Sequence, residues 1–196
     1  MKKHFAHLVV FGMLALGIFS CKKAYDDTSL SPLKDSVTDI PVTVPNQEFF
    51  ERFPIVTASL SKLDPTGAKG PFTIVLQIPA DKGKIKEITK ITTGTSGLAN
   101  LQPNFDNLAF NYDVAAGPAG RVVPIAGNGT NQITFTSTLD KYTTYRTRVG
   151  AAAAGQAATT TGFSAQNPNQ LPFYFLLTLE DGRQLISTAV RVRVLD

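Results

Sequence analysis

The chain has 196 residues, 43% of them hydrophobic and 17% charged, with a formal net charge of +4. That leaves room for one domain of ordinary size and surface, and excludes the concentrated positive field expected of a nucleic-acid-binding protein. With one cysteine in the sequence, an internal disulfide is excluded as well.

The first twenty residues have the build of an export signal. Lys2 and Lys3 open it, a mostly apolar run follows from Phe5 to Phe19, and the small residues Gly17 and Ser20 stand near its end. The apolar core from Leu8 to Phe19 falls short of the ~20 residues a bilayer-spanning helix requires. Because Lys2 and Lys3 would leave with residues 1–20, the charge of the remaining chain falls from +4 to +2. The stretch ends Gly17-Ile18-Phe19-Ser20-Cys21. This resembles the lipobox of bacterial lipoproteins, in which an apolar and a small residue precede the cysteine that receives lipid. The resemblance implies cleavage before Cys21, acylation of its thiol and new amino group, and anchoring to membrane lipid. Two or more acyl chains make such anchoring stable.

Residues 21–50 read as lipidated cysteine plus polar linker, with Ser29, Ser31, Pro32, Ser36 and Pro41 and no apolar stripe. Some 25 extended residues at ~3.3 Å each would hold a domain up to ~80 Å from the lipid. The run Lys22-Lys23-Ala24-Tyr25-Asp26-Asp27 resembles surface-export signals of lipoproteins in the Bacteroidota, although its acids lie further from the cysteine. Asp35-Ser36-Val37 resembles that phylum's short O-glycosylation pattern, which makes Ser36 a possible glycosylation site. These resemblances imply a protein at the outer membrane and leave its periplasmic or surface face open. Asn46 to Phe53 has the composition for one helical turn behind an asparagine cap.

Residues 51–196 form the expected folded body, where period-two alternation recurs between turn signals. Strands are expected at Ile55–Leu60, at Phe72–Ile78, at Ile85–Thr92 and at Asn131–Ser137. In Ile85–Thr92, Ile85, Ile88 and Ile91 recur every third residue, between strand and helix periods, which predicts a strand with a bulge. Arg121–Ala126 and Gln132–Ser137 read as a hairpin through Gly127-Asn128-Gly129-Thr130. Tyr142–Val149, rich in β-branched and aromatic residues, reads as a further strand. The clearest unit closes the chain. Phe173, Phe175, Leu177 and Leu179 share a face, an Asp181-Gly182 turn follows, and the return arm sets Ile186, Val190, Val192 and Val194 inward. Two long irregular segments, 93–107 and 150–170, interrupt the strands.

About seven or eight short strands without intervening helices point to an all-β fold, a single antiparallel two-sheet β-sandwich. The closing hairpin from Phe173 to Val194 resembles the last two strands of immunoglobulin-like or fibronectin type III-like domains of bacterial surface proteins. A jelly roll is the alternative.

The residue inventory narrows the chemistry. Both histidines, His4 and His7, precede Cys21, so cleavage there would leave neither imidazole nor free thiol. Triads built on histidine, and zinc, copper, haem and iron–sulfur sites, then lack their usual ligands. Gly117-Pro118-Ala119-Gly120 has neither the spacing nor the lysine of a phosphate loop. No cofactor and no metal is expected. Asp106 and Asp113, flanking Asn107, Asn111 and Tyr112, offer oxygen ligands for calcium but fit no known loop spacing, and Asx turns explain them more simply. Tyr112, Tyr142, Tyr145 and Tyr174 could stack on sugars where tryptophan is lacking, but at strand positions they read more simply as core residues with hydroxyls at the rim. Arg146 and Arg148, with Arg191 and Arg193, read as two same-face pairs that would make one ligand patch for carboxylates or phosphates if their strands were neighbours.

The expectation is a non-enzymatic, lipid-anchored binding or adhesion module of the cell envelope, with an envelope protein or glycan as partner and no nucleic acid. A structural or accessory subunit of an outer-membrane glycan-handling complex is the alternative, and a carboxylate-dependent hydrolase the third.

Overall fold

The computed structural model describes residues 40–116 and 120–196. The expected signal peptide, Cys21 and Ser36 lie outside the described residues. Most of the regular structure is strand: β1 (Phe49–Phe50), β2 (Pro54–Ser59), β3 (Pro71–Gln77), β4 (Ile85–Thr93), β5 (Tyr112–Asp113), β6 (Arg121–Val122), β7 (Ile125–Ala126), β8 (Gln132–Thr138), β9 (Gln170–Leu179), β10 (Gln184–Ile186) and β11 (Val190–Leu195). Three helices, α1 (Gly97–Asn100), α2 (Leu139–Val149) and α3 (Ala151–Ala154), fill the two long connections, with a 3-10 turn at Pro103–Leu108. No helix among the described residues is long and apolar enough to cross a membrane.

The strands form a large sheet in the order β1-β2-β11-β9-β4-β7, with β10 also on β9, and two pairs, β3-β8 and β5-β6. Alternation explains how they pack. Leu171, Phe173, Phe175, Leu177 and Leu179 are buried along β9, and Phe72, Ile74, Leu76, Ile133 and Phe135 along β3 and β8. These two faces meet in one core, where Phe173 lies 5.5 Å from Phe72 and Phe135 lies 5.5 Å from Phe175 between ring centroids. Burying a side chain of this size stabilises by about 1.5–3 kcal/mol.

The large sheet is mixed, not purely antiparallel. β2 and β11, the first long strand and the last, run parallel with Ile55 beside Arg191 and Ser59 beside Leu195. Strands so far apart in sequence are free of the hairpin constraint that makes neighbours antiparallel.

The odd spacing of isoleucines in β4 resolves as expected. Its register against β9 shifts between Ile85 and Glu87 and again between Ile88 and Lys90. Each shift absorbs one residue, so Ile85, Ile88 and Ile91 are all fully buried. The closing hairpin also holds, with Gly182 at φ 88° in its turn. Its return arm carries a bulge: Ile186 pairs with Leu176 but Val190 with Phe173, one residue more than on β9. The alternation therefore changes phase. Leu185 and Ser187 are buried and Ile186 is exposed, contrary to the expected inward Ile186. The Ser187 hydroxyl accepts the Phe175 N–H at 3.1 Å across the irregularity.

Three further expectations are corrected. Tyr142–Val149 is helix, within α2. Thr138 caps it, its Oγ1 accepting from the Lys141 N–H at 3.1 Å, and Gly150 ends it at φ 83°. Thr143, Thr144 and Thr147 each donate a hydroxyl to the carbonyl four residues back, a local bond that fits these β-branched residues into a helix. Arg121–Ala126 does not pair with β8. Instead β6 joins β5 and β7 joins β4, while Gly127, whose N–H reaches the Lys86 carbonyl at 2.7 Å, carries the chain past β4 toward the other sheet. A Cβ on Gly127 would collide with the carbonyls of Ile85 and Lys86.

Thirdly, the chain joins the fold before residue 51. Ile40 and Val44 are buried in the core, and Thr43 exchanges two backbone hydrogen bonds with Gln77. Asn46 donates to the Thr73 carbonyl and accepts from the Val75 N–H, both at 2.8 Å. Residues 49–50 are strand β1, paired antiparallel with β2, instead of a helical turn. The asparagine serves β3's edge where a helix cap was expected.

Candidate functional site

Both long connections are tied down by polar side chains of β4. Lys90, almost fully buried, donates to the Gln102 carbonyl at 2.6 Å and pairs with Asp106 at 2.7 Å. Thr92 donates to the Gly97 carbonyl, and Thr93 to the Ala154 carbonyl at 2.9 Å. Gly94 and Gly155 come into contact where any Cβ on Gly94 would strike the Ala153 carbonyl. Asp106 is thus an ion-pair partner of Lys90. Asp113 accepts from the Ala115 N–H at 2.8 Å in an Asx turn. Asn111 bonds Ile91, Thr89 and Val123 backbone groups. Among the described residues no three histidine, cysteine, aspartate or glutamate side chains come together as a metal site would require.

Secured in this way, the segment 109–113 faces α2. Phe110 stands in the core rim, 5.0 Å from the Tyr145 ring and 5.6 Å from Phe173. Tyr142 and Tyr145 take the inner side of α2. The Tyr142 hydroxyl donates toward the carbonyls of Ala154 (2.9 Å) and Gln156 (2.7 Å), and that of Tyr145 to Leu108 (3.0 Å). Burial raises both phenols above the ordinary value of 10.0, Tyr142 well above it. They stay neutral, as the core reading of these tyrosines anticipated. Tyr174 is half-buried and packs over Gly97.

Between α2 and residues 110–112 lies an open cleft of about 250 Å³ lined by Phe110, Tyr112, Lys141, Thr144, Tyr145 and Arg148. Lys141, Thr144, Tyr145 and Arg148 follow one another at i, i+3, i+4 and i+7, the spacing that puts residues on one helix face. The Arg148 guanidinium lies 5.3 Å from the centre of the Tyr112 ring and 5.5 Å from that of Tyr145. Its NH1 donates to the Asn107 carbonyl and its NH2 to the Ala109 carbonyl at 2.6 Å. Two rings and two carbonyls therefore fix this cation in place, and no carboxylate among the described residues lines the cleft. A guanidinium has five N–H donors, so those two bonds leave donors for a ligand.

The four expected arginines do not make one patch. Arg146 and Arg148, two apart on a helix, diverge, and the Arg146 Nε donates to the Gly155 carbonyl at 2.9 Å. Arg191 and Arg193 do share a face of β11, but that face is closed over by the residues around β1. Arg193 pairs with Glu51 at 2.5 Å and lies over Phe49, while Arg191 donates to Gln170 at 2.9 Å and lies over Phe53. The two pairs share no partner. Only Arg148 lines the cleft.

Phe110, Lys141 and Thr144 were not singled out by sequence reasoning. Their signal was the helix: a Thr138 cap, Asp140 in the first turn, Arg146 and Arg148 in the last, and Gly150 beyond. Once the segment is helical, the stripe follows. No protein-family model matches the chain, and no curated protein does.

Proposed function

We propose that the protein is a lipid-anchored, non-enzymatic binding module of the bacterial outer membrane, and that the cleft on α2 receives an anionic group of an envelope glycan. The observation that carries this reading is Arg148, immobilised between two tyrosines beside Lys141 in a cleft that no acid among the described residues lines. A carboxylate or phosphate would take the remaining N–H donors of Arg148 in a charge-assisted bond. The anchor rests on the lipobox residues before Cys21.

The fold reading behind it is an immunoglobulin-like sandwich. In that fold a sheet contains three strands in the order G-F-C, and the facing sheet pairs B with E. The orders β11-β9-β4 and β3-β8 support that reading for these five strands, with α2 in the connection between E and F. The parallel strand β2 then extends the G edge.

Two experiments test the reading. On an array of acidic and neutral glycans, the detergent-solubilised protein should retain acidic ones, and Arg148→Ala should lose them. Retention of neutral glycans alone would refute the site. Palmitate labelling should disappear in Cys21→Ala, and retained label would refute the anchor.

A further inference from the structure

The small pair β3-β8 has two outer edges, and they differ. Ile78 N–H donates to the Asn131 carbonyl and Leu139 N–H to the Gly70 carbonyl, each at 3.0 Å. These fix the phase of the ladder. Since bonded and non-bonded pairs alternate, Ile133, Phe135 and Ser137 of β8 direct their backbone groups to β3. Thr134 and Thr136 direct theirs away. On β3 the outward residues are Thr73, Val75 and Gln77, and Asn46 takes the Thr73 carbonyl and the Val75 N–H while Thr43 pairs with both Gln77 groups. On β8, Thr134 and Thr136 are exposed, and no backbone hydrogen bond engages their outward N–H and carbonyl groups among the described residues.

An open edge of this length is normally protected by charge, proline or a covering loop. β8 has neither charge nor proline, and no charged residue occurs from Val122 to Leu139. Its side chains are β-branched or aromatic at five of seven positions, Ile133, Thr134, Phe135, Thr136 and Thr138, the composition that favours pairing.

We infer that β8 is a docking edge for a second copy of this chain, joined antiparallel across a two-fold axis at Phe135. The occupant follows from the strand itself. Antiparallel pairing of two identical strands requires the outward-directed residues to meet each other, and Thr134 opposite Thr136 of the second copy does this in both directions. Four backbone hydrogen bonds then form from groups that have no partner among the described residues. No like charges face each other, and threonine pairs lie along the exposed side, a favourable cross-strand combination. The outcome is a continuous four-stranded sheet, β3-β8 with β8-β3 of the copy. An isologous contact of this kind closes as a dimer and does not propagate. The inference is independent of the glycan cleft, which α2 and residues 110–112 build.

Sedimentation of the intact chain in mild detergent should show a concentration-dependent monomer–dimer equilibrium. The pair Thr134→Lys and Thr136→Lys puts like charges opposite each other and should hold the chain as a monomer. The pair Thr134→Glu and Thr136→Lys puts opposite charges together in the same register and should restore the dimer. Hydrogen exchange of the unmodified chain supplies a test that needs no variant. Amides of Thr134 and Thr136 should gain protection with concentration, whereas those of Ile133, Phe135 and Ser137 stay protected throughout. A chain monomeric at every concentration overturns the inference. So does a dimer that survives the double lysine variant, one that the glutamate–lysine variant also dissociates, or Thr134 and Thr136 amides indifferent to concentration.

Discussion

Two regions of the molecule lay arginine on aromatic rings, and they do opposite things with it. On the β1-β2-β11 flank, Arg191 and Arg193 cover Phe53 and Phe49, and each has a side-chain acceptor of its own in Gln170 or Glu51. On α2, Arg148 lies over Tyr112 and Tyr145 with backbone carbonyls as its partners and a lysine in the same cleft. Ring stacking is common to both, so it cannot distinguish a structural arginine from a ligand-ready one. The neighbouring side chains decide. Where glutamate and glutamine answer the guanidinium the site is closed, and where only carbonyls fix its position the positive charge remains unneutralised. The closed flank is also less than ideal, because the Nε groups of Arg191 and Arg193 are buried without a hydrogen-bond partner, a cost that their ring contacts offset.

Substitutions can break this contrast at several depths. Phe173 contacts Phe110 and Tyr142 beneath the cleft and pairs with Val190 next to Arg191, so it supports both regions. Phe173→Ala should cost about 3–5 kcal/mol in denaturant unfolding and weaken ligand binding as well. Asp106→Asn should cost about 2 kcal/mol, since it removes the negative charge facing the buried Lys90 ammonium and leaves only neutral acceptors. Lys90→Met should cost less, because Asp106 is half-exposed and can return to water. Equal costs would mean that the pair is not what secures the 102–106 segment.

Tyr142→Phe should cost about 1–2 kcal/mol by leaving the Gln156 carbonyl without its hydroxyl donor and the Ala154 carbonyl with Thr93 alone. It should also change the alkaline limb of stability. The folded phenol is held above the ordinary value of 10.0, so above that pH the unfolded chain releases a proton that the folded one retains. Stability is therefore fully present below pH 10.0 and falls as pH rises beyond it. Tyr142→Phe should flatten that fall in a pH series of urea midpoints. The smallest effect belongs to the closed flank: Glu51→Gln should cost at most about 1 kcal/mol, as partly exposed ion pairs do, and leave ligand binding unchanged.

The strands were legible in the sequence wherever one face is buried. β3 and β9 alternate throughout and β8 as far as Ser137, and the triple spacing of Ile85, Ile88 and Ile91 announced the bulges of β4. Two kinds of feature escaped. Tyr142–Val149 has the composition of a strand, but its three threonines satisfy their hydroxyls on the preceding turn, and its tyrosines at 142 and 145 fall on one helical face. Local caps and tertiary burial overrode β propensity there. The second is sheet assignment. Nothing local told Ile125–Ala126 to pair with β4 instead of β8, or set β2 parallel to β11, since those choices belong to the packed core. The cleft was lost with the helix. Arg148 was singled out, but for a partnership with Arg191 and Arg193 that the fold does not make.

The reading of α2 as a ligand-binding face is tested most directly by titrating the intact protein with an oligosaccharide of uronic acids while observing tyrosine fluorescence, since the chain contains no tryptophan. The account predicts a saturable change from Tyr112 and Tyr145 that the neutral counterpart does not produce. Binding should weaken at least tenfold in Arg148→Ala, about 1.4 kcal/mol, and stay unchanged in Arg191→Ala. A titration without saturation, or one in which Arg191→Ala has the larger effect, would contradict it.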